Sequence, residues 1–311
     1  MAEVAANGLT FHVQRVGTGD ETVVMLHGLL IDNLSSHYYA VAPGVADRMQ
    51  VVMYDLRGHG HTERPATGYS LDDAVADLWS VLDGLGIHEP VHLLGNSYGG
   101  TIALDAAIKR PDRVRSLVLI DAHVAVAQWC ENIGEELSLA RAGLLQKDPS
   151  EWIGVGGGRK AAKLLRGAAS LITATTMVED LAATPALPEE RLQDILCPTL
   201  AIYGEYSDVI DRAHDLERLL PNLELDILMG CSHSVMLEAT KTVREVVADF
   251  YVRMAEGKVE PGRRREVEPD EPYLAGETHQ AMVGLYRQEL LKHRHLVPVP
   301  NPGTGQEATA G

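Results

Sequence analysis

Val91-His92-Leu93-Leu94-Gly95-Asn96-Ser97-Tyr98-Gly99-Gly100-Thr101-Ile102-Ala103-Leu104-Asp105-Ala106-Ala107 passes from a short apolar run into an alanine-rich stretch with helical spacing. A strand leads into a helix here, with Ser97 on the turn between them. The pattern Gly95-x-Ser97-x-Gly99 suits a sharp, crowded turn, because glycine on both sides removes side chains that would collide there. The outcome expected is an exposed, addressable hydroxyl.

Outward from this turn, short apolar runs alternate with longer amphipathic ones, the pattern of a mostly parallel sheet covered by helices. Strands are predicted at residues 9–16, 23–26, 50–54, 91–94, 116–120, 199–203 and 223–228. Ser70-Leu71-Asp72-Asp73 has capping-box form ahead of a stripe made by Leu71, Ala74, Val75, Leu78, Val81 and Leu82, so a helix starts there and ends near Gly84 and Gly86. Residues 98–109, 211–220 and 235–254 also read as helices, with Asp211 starting the second of these. The alternation breaks between His123 and Asp194, where helix-like pieces (135–145, 161–173) follow one another without a strand. That reads as a helical insertion at 123–194 in a core formed by 1–122 and 195–256. Residues 257–311 form a C-terminal extension: Pro261, the run Arg263-Arg264-Arg265, Pro269 and Pro272 read as a linker, 274–291 as a weakly amphipathic stretch, and Val297 onward has the composition of a disordered tail.

Composition narrows the partners. The 311 residues carry 27 Lys and Arg against 44 Asp and Glu, a net charge of -17, which would repel a phosphate backbone or an anionic membrane surface. Nucleic acid and membrane are therefore not expected as partners. Cys130, Cys197 and Cys231 lie far apart without a C-x-x-C pair, giving neither a disulfide framework nor a thiolate metal site. Residues 1–8 lack a basic segment followed by an apolar stretch, and a cytoplasmic protein is expected. Asn33-Leu34-Ser35 matches a glycosylation acceptor only formally. Gly154-Val155-Gly156-Gly157-Gly158-Arg159-Lys160 fails as a phosphate loop, since no strand precedes it and Ala161 stands where serine or threonine is needed; a hinge in the insertion is the better reading.

A serine hydroxyl needs a base to take its proton, and the base needs a carboxylate to orient it. His233, in Gly230-Cys231-Ser232-His233-Ser234, follows the last of the strands above and so falls at a strand's carboxyl end, where such sheets open their ligand crevice. Asp208, in Gly204-Glu205-Tyr206-Ser207-Asp208, lies between serine and histidine in chain order and is the first choice of acid. Asp121, after the strand at 116–120, is the alternative acid, while Glu205 reads as a solvated loop charge. Attack on a carbonyl makes an oxyanion, for which the backbone N–H groups of Tyr98 and of Leu29, beside Gly28, are the expected donors. His27 reads as a packed imidazole in a tight turn.

With Ser97, Asp208, His233, His27-Gly28 and Asp55-Leu56-Arg57-Gly58-His59-Gly60 assembled, the sequence resembles the α/β-hydrolase family in its capped form, over about residues 9 to 255. The resemblance implies an eight-stranded-type, mostly parallel sheet, a helical cap, no cofactor and no metal. His59-Gly60-His61 is followed by no carboxylate and histidine at metallohydrolase spacing. It further implies a serine esterase or thioesterase acting on an apolar small molecule. Pocket walls are expected from Trp129, Leu137, Leu144, Trp152, Leu164, Leu165 and Leu171. Two departures stand out. Ser207 occupies the place where the family often carries its acid, with Asp208 one residue later, and Ser234 follows the histidine where hydrolases of carbon–carbon bonds in ring-fission products commonly show an aromatic residue. The elbow itself is similar to that of those carbon–carbon hydrolases, so that activity stays open, as do acyl transfer or cyclisation and a catalytically silent binding role. A homodimer through the cap or the extension is also compatible.

Overall fold

A computed structural model of the chain describes residues 2–146 and 158–270. Nine strands form one sheet: β1 (Ala2–Ala6), β2 (Leu9–Val16), β3 (Thr22–Leu26), β4 (Gln50–Tyr54), β5 (Val91–Asn96), β6 (Val114–Ile120), β7 (Thr199–Gly204), β8 (Leu223–Leu228) and β9 (Arg264–Val267). Their order is β1-β2-β4-β3-β5-β6-β7-β8-β9, with β2 antiparallel to both neighbours and every other pair parallel. The inner strands are near-continuous apolar runs because helices cover both faces, so each needs apolar side chains in both directions. Val24 and Leu26 enter one core with Leu93, Leu117, Leu119, Ala201 and Tyr203, while Val23 and Met25 enter the other with Leu94, Val118, Ile120, Leu200 and Ile202.

Of the helices, α1 (Ser35–Ala40) follows β3, α2 (Leu71–Gly84) follows β4 and α3 (Tyr98–Lys109) follows β5. The capping box of α2 is formed: Ser70 Oγ accepts the Asp73 N–H at 3.1 Å and the Asp73 carboxylate accepts the Ser70 N–H at 3.1 Å. Between β6 and β7 lie α4 (Ala127–Gln146), α5 (Gly158–Ala174) and α6 (Met177–Ala182), with no strand among the described residues. These helices are laced together by Arg141, which donates to Ile172 O at 2.9 Å and pairs with Glu179. They are tied to the loop before α2, where Asp180 accepts the Tyr69 N–H at 2.8 Å and the Thr176 N–H reaches Ala66 O at 2.9 Å. The fold closes with α7 (Ile210–Leu219), α8 (Val235–Glu238) and α9 (Thr240–Ala255).

Three expectations are corrected. First, Ala2–Ala6 is a strand, turned back onto β2 by Asn7 and Gly8, both at positive φ (46° and 75°). Second, the stretch 235–254 is two helices, because Ala239 leaves the helical region at φ -135°, ψ 46°. Third, the arginine run is no linker: Arg264–Val267 pairs in parallel with β8, extending the expected eight strands to nine. The reason is electrostatic. Glu224 and Asp226 of β8 are fully buried, and Arg253, Arg263 and Arg265 supply their counter-charges. The amphipathic stretch 274–291, Trp152 and the segment 154–157 lie outside the described residues. No helix among the described residues is long and apolar enough to cross a membrane.

Candidate active site

Ser97 stands between β5 and α3 with φ 52° and ψ -116°, a conformation that costs energy for any residue with a side chain. The turn exists because its neighbours are glycines. A Cβ on Gly99 would sit 2.1 Å from Leu26 O, one on Gly95 would sit 2.3 Å from Gly99 O, and one on Gly100 would meet Ala122 Cβ at 2.4 Å. The elbow is thus pressed between β3 and β6, and the Ser97 N–H continues the ladder by donating to Ile120 O at 2.9 Å.

The carboxyl ends of β6, β7 and β8 bring the remaining groups alongside. His233 Nε2 lies 3.1 Å from Ser97 Oγ, with a Ser97 hydroxyl proton between them when Nδ1 carries the imidazole proton. Its loop is held at both ends. Gly204 lets β7 approach it, since a Cβ there would fall 2.3 Å from Ser232 O, and the Tyr206 N–H donates to Cys231 O at 2.8 Å. Glu238 accepts from both the N–H and the hydroxyl of Ser232, the latter at 2.6 Å. Glu205, read from sequence as a solvated loop charge, accepts the Gly230 N–H at 2.8 Å. Behind the imidazole, Nδ1 faces two carboxyls: Asp121 Oδ2 at 3.5 Å and Asp208 Oδ1 at 3.8 Å. They differ in setting. Asp121 is fully buried at the end of β6, and burial, reinforced by the charge of Asp208, pushes its carboxyl well above the usual carboxylate range. The Asp208 side chain is 47 % exposed. Burial lowers the His233 pKa, with Asp208 and Glu238 opposing the shift. His123, whose ring lies 5.3 Å from that of His233, is driven down to about 3 by burial and by His233, so it stays neutral beside the base.

Leu29 and Tyr98 flank the serine from two sides. Tyr98 opens α3, so its N–H is one of the first-turn donors without an intrahelical acceptor. Gly28 brings the loop after β3 against the elbow, its would-be Cβ 3.6 Å from Ser97 Cβ. Ser97 and His233 open into a cavity of about 520 Å³ whose walls include Leu29, Ile31, Leu164, Leu165, Met236 and Leu237. Of the wall residues expected from sequence, Leu164 and Leu165 are in this lining, whereas Trp129, Leu137 and Leu171 are buried in the core and Leu144 packs against it. The titratable side chains among the described lining residues are Asp32, Tyr39 and His233, with no lysine or arginine.

Residues 21–192 match the family model described as the alpha/beta hydrolase fold. The chain belongs to the α/β-hydrolase family. It is 30 % identical over 265 residues to the serine hydrolase BPHL of Mus musculus, covering 80 % of this chain and 85 % of that one. It is 26 % identical over 262 residues to the 2-hydroxy-6-oxo-2,4-heptadienoate hydrolase of Pseudomonas putida, covering 79 % and 94 %. Among solved structures, a meta-cleavage product hydrolase from Pseudomonas fluorescens superposes with a TM-score of 0.63 at 21 % identity, covering 82 % and 98 %. An enzyme that degrades N-acyl homoserine lactones superposes with a TM-score of 0.62 at 25 % identity, covering 80 % and 100 %. The protein is therefore a hydrolase, on the fold its sequence resembles.

Several residues of this hydrolase's site carried no signal of their own in the sequence. Glu238 lies within the stretch whose spacing predicts one helix, and its carboxylate accepts from the N–H and hydroxyl of Ser232, which fixes the histidine loop. Asp32 and His59 support the loop after β3, through the Gly28 N–H at 2.8 Å and the Leu30 N–H at 2.9 Å. His27 is a packed imidazole, as expected: Nδ1–H donates to Gly28 O at 2.7 Å and Nε2 accepts the Leu56 N–H at 2.9 Å.

Proposed function

We propose that the enzyme cleaves a carboxylic ester or thioester of an apolar small molecule through an acyl-enzyme, with Ser97 as nucleophile, His233 as base and Asp208 as acid. The observation that carries this reading is the 3.1 Å approach of His233 Nε2 to Ser97 Oγ in an apolar cavity. Ser97 Oγ attacks the carbonyl carbon as its proton passes to Nε2, and the oxyanion is received by the Leu29 and Tyr98 N–H groups. The imidazolium then protonates the leaving oxygen or sulfur, and a water activated by the same nitrogen releases the acid. Asp208 is preferred over the nearer Asp121 because an imidazolium needs a charged partner. Burial pushes the Asp121 carboxyl upward, toward its neutral form, and so weakens it as that partner. The helices between β6 and β7 act as a cap, contributing Leu164 and Leu165 to the acyl pocket. A cytoplasmic setting and a homodimer are compatible with this chemistry.

Carbon–carbon cleavage of ring-fission products is the second reading, favoured by the names of several relatives. A dienoate such as the one in the Pseudomonas putida enzyme's name carries a carboxylate. Here that carboxylate would enter a cavity whose described lining supplies Asp32 and no lysine or arginine, and like charges in a partly desolvated site repel. A neutral ester meets no such barrier. The structural relative that degrades N-acyl homoserine lactones acts on a substrate that contains a cyclic ester, which is consistent with the same choice.

Turnover of a panel of p-nitrophenyl esters and acyl thioesters of graded length, alongside a ring-fission dienoate and with Ser97→Ala as control, tests the choice. The expected result is kcat/KM for a neutral medium-chain ester above that for the dienoate by about tenfold or more, the discrimination that a ~1.4 kcal/mol difference supplies. Faster turnover of the dienoate would transfer the assignment to carbon–carbon cleavage. Addition of an alcohol or amine should leave free acid as the main product; an acylated nucleophile in its place would make the enzyme a transferase.

A further inference from the structure

The loop that carries Leu29 hangs on an imidazole that the reaction never touches. Along this loop the Gly28 N–H donates to Asp32 Oδ2 at 2.8 Å, the Leu30 N–H to His59 Nε2 at 2.9 Å and the Ile31 N–H to Leu29 O at 3.0 Å. Of these four consecutive amides, that of Leu29 alone donates to no acceptor among the described residues. Leu29 is partly buried on the cavity wall, so its N–H is open to an acceptor that enters there. Leu30 itself sits at φ 66°, the left-handed region that a leucine leaves unless something holds it. His59 is the group that holds it.

His59 is built for that purpose. It is almost fully buried, and its Nδ1–H donates to Arg57 O at 2.9 Å, which places the lone pair on Nε2, facing the Leu30 N–H. Burial and the neighbouring His27, whose ring centre is 5.2 Å away, lower its pKa to about 3, so the acceptor persists across the working range of a hydrolase. Gly60 follows at φ 52°, where a Cβ would strike the Asp55 carboxylate at 2.0 Å, so the turn that aims His59 tolerates no larger residue. His27 runs the opposite way, from β3 to the Leu56 N–H beyond β4. The two imidazoles thus lace the loops after β3 and β4 together.

We propose that His59 is a positioning residue for the oxyanion site: by accepting the Leu30 N–H it keeps Leu30 in its left-handed turn and the Leu29 N–H free in the cavity shared with Ser97. This rests on the reading of Leu29 as an oxyanion donor. His59→Asn keeps a group near Nδ1 but is too short to reach Leu30, whereas the longer His59→Gln places its amide oxygen near the position of Nε2. Each variant is compared with wild type for kcat and KM on p-nitrophenyl butyrate, and for the inhibition constant of an alkyl trifluoromethyl ketone, whose tetrahedral adduct needs the oxyanion donors. Loss of one such donor costs about 10²-fold in kcat. His59→Asn should therefore lose on the order of 10²-fold in kcat and a similar factor in ketone affinity, with KM within about twofold, and His59→Gln should recover most of both. If His59→Asn does not fold, His59→Leu, which fills the space without an acceptor, takes its place. Wild-type kcat and ketone affinity in the folded variant, or a loss confined to KM, or an equal loss in His59→Gln, would overturn the role of His59. Failure of the ketone to form a Ser97-dependent adduct with wild type is a different result, and counts against the serine reading itself.

Discussion

Two carboxyls face one imidazole nitrogen, and the shorter distance does not decide between them. Asp121 is nearer to His233 Nδ1, but its burial favours the neutral acid, while Asp208 is half-exposed and is the strongest of the charges that raise the His233 pKa. Asp208→Asn should lower kcat/KM by roughly 10³–10⁴-fold, the scale seen when a triad acid is neutralised, and Asp121→Asn by less than about tenfold. The pH profile adds a sign. Burial lowers the His233 pKa, so the neutral base survives below the ordinary 6.5, and the acidic limb of kcat/KM should have its midpoint below that value. Removing the raising charge with Asp208→Asn should move the limb further down; an upward move would contradict the assignment. Asp121 also has a stability signature. A carboxyl whose folded pKa is raised binds its proton more tightly in the folded state, so its contribution is lost as pH rises from the ordinary carboxylate range through the raised value. Asp121→Asn should accordingly gain in melting temperature relative to wild type between pH 4 and pH 8. Sequence reached both candidates from their places after strands, but burial, which separates them, is a property of the packed sheet.

At the scale of elements, the runs fixed by local chemistry were legible and those fixed by distant partners were not. Leu9–Val16, Gln50–Tyr54, Leu223–Leu228 and Tyr98–Lys109 have the bounds their periodicity predicts, because apolar spacing and glycine punctuation act locally. The first strand lies outside the predicted set although Asn7-Gly8 is a hairpin signal, both residues adopting the positive φ that such turns need. β9 had no local signal at all. Three arginines among prolines read as solvated chain, and only the alternation Leu223-Glu224-Leu225-Asp226 hinted that β8 buries two acids requiring cations. Burial alone would raise Glu224, yet bonds from Arg253 (2.7 and 2.8 Å) and the Glu260 N–H, with the charge of Arg263, hold it below the usual range. Arg265 donates to Asp226 at 2.9 Å. Since hydrogen bonds to buried charges are worth about 1.5–3 kcal/mol, Arg263→Ala and Arg265→Ala should each destabilise by roughly that amount in urea titration. If both variants unfold at the wild-type midpoint, β9 is an appendage and not part of the sheet's ion-pair frame.

For the molecule as a whole, the sheet converts sequence separation into contact. Registers that align Leu26 with Gly95, Asn96 with Ile120, and Gly204 with Leu228 bring the ends of β3, β5, β6, β7 and β8 to one edge, where residues 29, 97, 121, 208 and 233 meet. Sequence order foretold this edge, because parallel strands deliver all their carboxyl ends to the same side. The cavity above it was less legible: helical spacing in the insertion could not distinguish Leu164 and Leu165, which face the cavity, from Leu137 and Leu171, which are core. The chemistry proposed at this edge requires Ser97 to be a nucleophile activated by His233. Intact-mass analysis after brief exposure to a fluorophosphonate tests it most directly. Wild type should gain one adduct, Ser97→Ala none, and His233→Ala should react slower by about 10²–10⁴-fold, the range of general-base assistance. An unmodified wild type, or a His233→Ala variant labelled as fast as wild type, would contradict the claim.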